Sequence, residues 1–152
     1  MRQIKFKAWH SSQKKMYSSE QMVNDQLTLL PDGRFINVHG EKKELSIIYT
    51  TMIPLQFTGY RDTEGKEIYH KDVITAPYYP FTDNGVQNYI GVIEWIFGQW
   101  QYVLYCVNPT KRGISTGCNT GLNDEGVEDG GIVPFRVIGN IYENEEYSKL
   151  GE

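Results

Sequence analysis

Residues 89–107 read YIGVIEWIFGQWQYVLYCV, and this stretch decides the fold class. Two runs rich in aromatic and β-branched residues, 89–97 and 100–107, are separated by Gly98-Gln99, a pattern that favours a two-residue hairpin turn. Neither face of the second run is polar, so we expect both faces to be covered at least in part. One face would carry Trp100, Tyr102, Leu104 and Cys106, and the other Gln101, Val103, Tyr105 and Val107.

Shorter strand patterns lie on both sides of this hairpin. Residues 3–9 alternate as a half-buried strand does, and Pro31-Asp32-Gly33 predicts the turn of a hairpin over 27–38. Asn144 followed by two acidic residues predicts a short helix near the end of the chain. Further strands are expected at 45–49, 52–58, 71–76 and 132–138. The fold class is therefore mainly β, or α+β at most.

The spacing of these patterns predicts two parts packed into one structural domain. Residues 1–69 form an N-terminal β-rich part, and residues 70–152 an SH3-like barrel with a short C-terminal helix. The connection 108–131 is long for a compact domain and contains six glycines. It is either a mobile functional loop or an ordered excursion, and we expect 111–130 to be the least ordered internal segment because it offers few apolar side chains.

Composition and charge narrow the class of protein. The 152-residue chain has a net charge of −4, which argues against wholesale nucleic-acid binding. Residues 1–76 carry 11 basic and 9 acidic side chains, or +2, whereas 77–152 carry 4 and 10, or −6. The acidic stretch 124–129 is either a solvated loop or a weak cation site. Two cysteines, no apolar h-region and no membrane-length apolar run lead us to expect a cytoplasmic protein without membrane association.

Several patterns resemble catalytic or metal motifs but lack the context that the chemistry needs. Residues 113–117 match G-x-S-x-G, yet no histidine follows His70 to complete a triad. Residues 59–66 resemble a P-loop, but the spacing is wrong and Glu67 stands where Ser or Thr would bind magnesium. The histidines and cysteines show no metal-ligand spacing. The sequence therefore predicts no enzyme, no cofactor and no metal site.

Four segments follow a recognisable pattern. Residues 2–9 (RQIKFKAW) are similar to R-x-I-K-F-R-A-W, and Lys15-Met16-Tyr17 follows them. Residues 56–74, from Gln56-Phe57-Thr58-Gly59 to Asp72-Val73-Ile74, are similar to Q-[FY]-T-G-L-x-D-x-x-G-K-E-I-Y-E-G-D-I-V. The third and fourth segments are 91–93 (GVI) and 137–144 (VIGNIYEN). Together the four segments resemble the YopX family, small proteins encoded by bacteriophages and prophages.

The resemblance implies a β-rich phage protein made in the bacterial cytoplasm, and it carries over no catalytic residue. Two positions depart from the pattern: Tyr60 replaces Leu, and Lys71 replaces Gly. If that Gly serves a positive φ, Lys71 must adopt a different local geometry. The motif residues are interpreted as a folding signature, with a binding surface as the alternative. They are Thr58, Gly59, Asp62, Gly65, Lys66, Ile68, Tyr69, Asp72, Gly139 and Asn140.

Two functional hypotheses remain. The first is a phage accessory protein that acts as an interaction module, binding a host or phage protein and itself as a homo-oligomer. The excess of aromatic side chains and the long loops favour it. The alternative is a nucleic-acid-binding β-barrel module, in which basic side chains and an aromatic ring contact the phosphates and bases. In both cases the candidate interaction surface consists of Lys5, Lys7, Trp9, Lys14 and Lys15.

Overall fold

A computed structural model of the protein describes residues 3–38, 45–49, 52–78, 80–83, 87–107, 114–122 and 130–150. Strands dominate these ranges, and helical structure within them is limited to one six-residue helix and short 3₁₀ turns. The prediction of a mainly β fold is confirmed. The chain divides into two compact units, a smaller one of residues 5–56 and a larger one of residues 1–4 and 57–152.

The smaller unit contains two antiparallel sheets. Its elements are β1 (Phe6–His10), β2 (Lys15–Tyr17), α1 (Ser19–Asn24), β3 (Leu27–Leu29), β4 (Phe35–Val38), β5 (Leu45–Tyr49) and the first half of β6 (Met52–Arg61). One sheet has the order β2-β1-β6 and the other the order β3-β4-β5. Ala8, Met22, Phe35 and Met52 form its buried core.

The predicted hairpin over 27–38 is confirmed. Leu29 pairs with Phe35 at the end of β3 and β4. Gly33 supplies the positive φ of the turn, at +86°. Arg34 closes the turn from the other side, because its Nε donates a 2.7 Å hydrogen bond to Asp32 Oδ2.

Helix α1 was not predicted, although its start carries a recognisable signal. Ser18 Oγ accepts a hydrogen bond from the Gln21 N–H at 3.2 Å, and Gln21 Oε1 accepts one from the Ser18 N–H at 2.9 Å. This reciprocal pair is a capping box, whose sequence form is S-x-x-Q. The helix is too short for hydrophobic periodicity to reveal it.

The larger unit is built around a six-stranded antiparallel sheet. The strands of the larger unit are the second half of β6, β7 (Glu67–Tyr69), β8 (Asp72–Thr75), β9 (Thr82–Asp83), β10 (Gln87–Ile96), β11 (Gln99–Cys106), β12 (Ile114–Gly121) and β13 (Arg136–Asn140). The sheet has the order β12-β11-β10-β8-β13, with β9 beside β10, and it is curled; β6 pairs with β7. The closer likeness of this region to an SH3 barrel stays a prediction.

Both faces of this sheet are covered, as predicted from the apolar character of 100–107. Ile74 and Ile93 belong to one buried cluster with Tyr102 and Phe135. Their neighbours Val73 and Val92 point the other way, into a second cluster with Ile90 and Leu150. Alternating side chains along β8 and β10 thus serve two cores.

Several boundaries differ from the sequence prediction, including the following three. The turn between β10 and β11 consists of Phe97-Gly98 rather than Gly98-Gln99, because Ile96 pairs directly with Gln99. Strand β13 begins at Arg136, and Ile132 makes only an isolated bridge to Arg61. The expected C-terminal helix is a 3₁₀ turn, Glu145–Tyr147.

The long connection 108–131 contains a strand, which favours the ordered excursion over the mobile loop for this part of it. Residues 114–121 form β12, which pairs with β11 from Gln101↔Gly121 to Cys106↔Ile114. The described residues therefore support an ordered excursion over this stretch. The acidic stretch 124–129 lies outside the described residues.

The division between the units lies at residues 56–57, whereas the sequence predicted parts of 1–69 and 70–152. Residues 57–69 belong with the larger unit for a physical reason. Ile68 is buried in the same cluster as Ile74, and Asp62 accepts a hydrogen bond from the Val137 N–H at 3.0 Å. The packing of the parts into one domain stays a prediction.

Candidate functional site: an aromatic hairpin tip

The tip of the β10–β11 hairpin has an unusual turn. Its two central residues, Phe97 and Gly98, have φ values of +51° and +78°. Positive φ at both positions is the signature of the type I′ turn, which favours Asn-Gly because its backbone twist matches that of the strands. A left-handed conformation costs an ordinary L residue about 1–2 kcal/mol. Phe97 is therefore poorly suited to its own turn.

Phe97 is also exposed where a large apolar ring would ordinarily be buried. It is 94% exposed, and Trp95 on β10 is 49% exposed. Residues 95–100 (WIFGQW) carry no charged side chain. An aromatic ring that violates both the turn preference and the burial preference points to a role outside the folding of the chain.

The tip rests on a well-supported base. Trp95 pairs with Trp100 across the hairpin, and the two rings meet edge-to-face with their centroids 4.9 Å apart. The Trp100 ring also lies 5.6 Å from the ring of His70. Gln101 Nε2 donates a 3.2 Å hydrogen bond to the carbonyl oxygen of Ile96, one residue before the turn. These contacts fix the position from which Phe97 projects.

The indole N–H of Trp100 is buried and has no hydrogen-bond partner among the described residues. Leaving a buried donor unpaired costs about 1–3 kcal/mol, so such groups are rare in native structures. The tip therefore combines an exposed apolar ring with an unused buried donor.

A charged cluster flanks the base of the tip. Glu94 on β10 accepts a 3.0 Å hydrogen bond at Oε2 from His70 Nε2, and its Oε1 pairs with Lys71 Nζ. Burial opposes ionisation of Glu94, but the hydrogen bonds from His70 and Lys71 outweigh it and hold the pKa of the carboxyl below its usual value. Since one carboxylate binds both basic groups, the cluster presents little net charge to a partner.

The turn that carries His70 and Lys71 is strained in the same way as the tip. Lys71 has a φ of +68°, and its N–H donates a 2.9 Å hydrogen bond to the Ile93 carbonyl. Lys71 itself adopts a positive φ, so the lysine needs no geometry different from the one that a glycine favours. Its contacts to β10 hold it there.

Glu94 also influences two tyrosines. Burial, and secondarily the negative charge of Glu94, raises the pKa of Tyr105 and of Tyr142. Both hydroxyls are therefore kept protonated. Among the described residues no group of three His, Cys, Asp or Glu side chains could hold a metal ion. The chemistry that this arrangement favours is ion pairing that fixes a turn.

Asp62 joins distant parts of the larger unit. Its Oδ1 accepts hydrogen bonds from the N–H groups of Glu64 at 2.9 Å and Lys66 at 2.8 Å. Its Oδ2 accepts one from Val137, 75 residues away. Gly65, at φ +81°, completes this turn by donating its N–H to the Asp62 carbonyl at 2.9 Å. The buried carboxylate thus holds the 62–66 turn against β13.

The neighbouring motif residues make similar local contacts. Thr58 Oγ1 donates to the Ile68 carbonyl at 2.8 Å, while Ile68 itself is buried in the core. Asp72 Oδ2 accepts from the Tyr69 N–H at 2.8 Å and closes the turn around His70. Gly59 has a φ of +92° on β6. These contacts fit the structural interpretation of the block.

Gly139 and Asn140 shape the end of β13. A Cβ on Gly139 would lie 2.4 Å from Asn144 Oδ1, so only glycine fits at this point. The same Asn144 oxygen accepts a 3.0 Å hydrogen bond from the Asn140 N–H. Asn140 Oδ1 in turn accepts from the N–H groups of Tyr142 and Glu143 at 2.9 and 2.8 Å. This pair of residues turns the chain after the last strand.

A family model described as YopX protein matches residues 5–147. The chain belongs to the YopX family. It is similar in structure to protein EF1440 from Enterococcus faecalis, at 20% sequence identity and a TM-score of 0.56, over 96% of this chain and 98% of that one. At this identity the likeness shows the fold alone. No curated protein matches the sequence.

The predicted basic surface of this YopX-family chain is only partly available to a partner. Trp9 is 6% exposed, so its ring cannot serve as an open stacking platform. Lys5 and Lys7 are half-buried on or beside β1. Lys14 and Lys15 are exposed at the turn into β2, and Lys15 Nζ lies 4.7 Å from the centre of the Tyr17 ring. An interaction at these lysines stays a prediction.

Sequence reasoning missed Phe97 as a candidate functional residue. It treated the ring as part of an apolar strand and placed the turn one residue later. The usable signal was Phe-Gly at a position where a two-residue hairpin favours Asn-Gly.

None of the helices in the described part of the chain is long and apolar enough to cross a membrane.

Proposed function

We propose that this YopX-family protein is a protein-interaction module whose contact surface is the tip of the β10–β11 hairpin. The observation that carries the proposal is Phe97, which is 94% exposed at a φ of +51°. Exposed aromatic anchors on a fixed support are the side chains that dominate protein–protein binding energy. The partner that we propose is a host or phage protein.

The charge around the tip favours a protein partner over a nucleic acid. Residues 95–100 have no charged side chain, and Glu94 binds the nearby His70 and Lys71. The net charge of −4 adds long-range repulsion to a phosphate backbone. Nucleic-acid binding is the second candidate, because Trp95 and Phe97 have exposed rings on which bases can stack.

A single substitution tests the contact surface without weakening the fold. Phe97→Asn removes the ring and introduces the residue that the turn favours. Val23→Asn is a matched control, because Val23 is another exposed apolar residue, 74% exposed on α1. We expect wild type and Val23→Asn to capture the same protein from phage-carrying cells, and Phe97→Asn to lose it.

Nuclease treatment separates the two candidates. Capture that survives nuclease supports a protein partner, and capture that depends on intact nucleic acid supports the alternative. Circular dichroism and thermal unfolding should show that Phe97→Asn is folded, so that a loss of capture reflects the missing ring. Retention of every captured protein by Phe97→Asn would overturn the proposed surface.

We further propose that the protein is phage-encoded, acts in the bacterial cytoplasm and forms a small symmetric oligomer, without catalysing a reaction. The four sequence segments that resemble phage and prophage proteins support the origin. Exposed apolar side chains of the larger unit, Tyr78, Trp95, Phe97 and Ile132, support self-association. Light scattering should give a mass above 17.5 kDa at both low and high salt, because apolar burial is insensitive to screening. A monomer at both salt concentrations would refute the oligomer.

A further inference from the structure

The buried N–H of Trp100 is unexplained by the folding of the chain. Its Nε1 has no hydrogen-bond partner among the described residues, although Trp100 as a whole is 6% exposed. Native structures pair most buried donors, so an unpaired one calls for a specific reason.

The position of Trp100 links this donor to the tip. The centroid of its ring is 5.6 Å from that of His70 and 4.9 Å from that of Trp95. Trp95 is the more exposed of these neighbours and stands edge-on to Trp100. A rotation of Trp95 about its side-chain bonds is therefore the simplest motion that could uncover the indole N–H.

We infer that the tip binds an uncharged polypeptide segment that places an apolar side chain against Trp95 and Phe97 and a carbonyl oxygen on Trp100 Nε1. This inference rests on the proposed function and names the chemistry of the partner at the same site. The apolar contact covers the exposed rings, and the carbonyl satisfies the unpaired donor once Trp95 has turned aside.

The charges beside the tip favour an uncharged hydrogen-bond acceptor for Trp100 Nε1 over a carboxylate or phosphate. Glu94 pairs with Lys71 and with His70, so the cluster beside the tip offers no unpaired positive charge to attract an anion. A carboxylate would keep its solvation cost without gaining an ion pair. An amide carbonyl carries no such cost and is present in every polypeptide.

Indole nuclear magnetic resonance tests the inference directly. The chain has three tryptophans, so ¹H–¹⁵N spectra of the full-length protein should show three indole signals, assignable with Trp9→Phe and Trp95→Phe variants. The probe is N-acetyl-phenylalanine amide, which carries an apolar ring and neutral carbonyls. Butylbenzene lacks the acceptor, and N-acetyl-phenylalanine replaces the amide with a carboxylate.

We expect the amide probe to move the Trp100 N–H signal downfield in a saturable way and to leave the Trp9 signal in place. Butylbenzene should move the Trp95 signal without the downfield shift of Trp100, and the carboxylate should bind more weakly than the amide. Three results would overturn the inference: no saturable shift with the amide, the same Trp100 shift with butylbenzene, or a Trp100 signal already at a hydrogen-bonded position without probe.

A second measurement tests the movement of Trp95. Trp95→Ala should raise the solvent-exchange rate of the Trp100 indole N–H about tenfold or more, because the cover has been removed. An unchanged rate would show that Trp95 is not the cover and would overturn that step. If Phe97→Asn abolishes partner capture while the amide probe shows no preference for Trp100, the proposed function stands and this inference fails.

Discussion

Two turns of the larger unit hold a large side chain at a positive φ, and they differ in where that side chain goes. Lys71, at φ +68°, reaches Glu94 with its ammonium group, and its backbone N–H is bonded to the Ile93 carbonyl. Phe97, at φ +51°, extends into solvent with 94% of its surface exposed. Both conformations carry the steric cost of the left-handed region.

The stability of the fold explains why the chain has Lys71 at a positive φ, but it does not explain Phe97. The ion pair and the backbone hydrogen bond offset the conformational cost at Lys71, so the folded chain itself gains from the lysine. An exposed ring returns almost no burial energy to the fold, so Phe97 lowers stability in the isolated protein. Residues that persist against local preference in this way are candidates for binding.

The largest expected effect comes from removing the partner of Lys71. Glu94→Gln leaves Lys71 partly buried without a countercharge and leaves the strain at Lys71 uncompensated. We expect a loss of about 2 kcal/mol in the free energy of unfolding, below the value for a fully buried pair because these side chains are partly solvated. Urea denaturation followed by tryptophan fluorescence measures it.

Glu64→Gln is the matched control for that loss. Glu64 is exposed beside the Asp62 turn, and the substitution keeps its backbone N–H, which donates to Asp62 Oδ1. It should change stability by less than about 0.5 kcal/mol. Equal stabilities of the two variants would show that the Glu94 cluster does not compensate the strain at Lys71.

At the tip we expect a substitution to raise the free energy of unfolding instead of lowering it. Phe97→Asn relieves the left-handed strain and creates Asn-Gly, so it should raise the free energy of unfolding by about 1 kcal/mol. Phe97→Ala removes the ring but keeps an ordinary residue at the positive φ, and it should bring no such gain. Loss of stability in Phe97→Asn would mean that the ring packs within the folded protein, and the contrast with Lys71 would disappear.

The two turns should also differ in how their contribution to stability depends on pH. The pKa of Glu94 is lower in the folded protein than its unfolded value of about 4.3, so the unfolded state takes up the proton first. The stabilisation is therefore present above about pH 4.3 and is lost as the pH falls through the folded pKa. The stability difference between wild type and Glu94→Gln should narrow on acidification.

The matching comparison uses the tip variant. The difference between wild type and Phe97→Asn should not change over the same pH range, because neither residue titrates there. A constant difference for Glu94→Gln would contradict the cause assigned to the lowered pKa.

Strand periodicity explains how much of this fold could be predicted. The hairpin of 89–107 and the Asp32-Gly33 turn follow from local alternation and turn chemistry, both of which are visible in sequence. Strand β12 (ISTGCNTG) has neither alternation nor an apolar run. Its place is set by pairing with β11. Propensity reasoning cannot find such a strand, since the pairing that orders it is not signalled by the strand's own side chains.

The candidate site was predictable only in part, for a related reason. The glycine of the turn was visible, but the assignment of Phe97 depends on pairing register, and a shift of one residue changes which side chain occupies the turn. The exposure of Phe97 and the pairing of Lys71 with Glu94 are tertiary facts. The sequence could show that Lys71 replaces a glycine, but not that a carboxylate 23 residues later would hold it.

The smallest expected change in stability is the sharpest test of compensation at Lys71. Lys71→Gly relieves about 1 kcal/mol of left-handed strain and gives up an ion pair worth about 0.5–1 kcal/mol at this exposure. The net change in the free energy of unfolding should therefore lie within about 0.5 kcal/mol of zero. The informative measurement is the double-mutant cycle, which compares the cost of Glu94→Gln in wild type and in Lys71→Gly. Once glycine occupies position 71, no lysine is left unpaired, so Glu94→Gln should cost about 1 kcal/mol less than it does in wild type. Strict additivity would show that Lys71 tolerates its φ without help from Glu94, and that the two turns are alike after all.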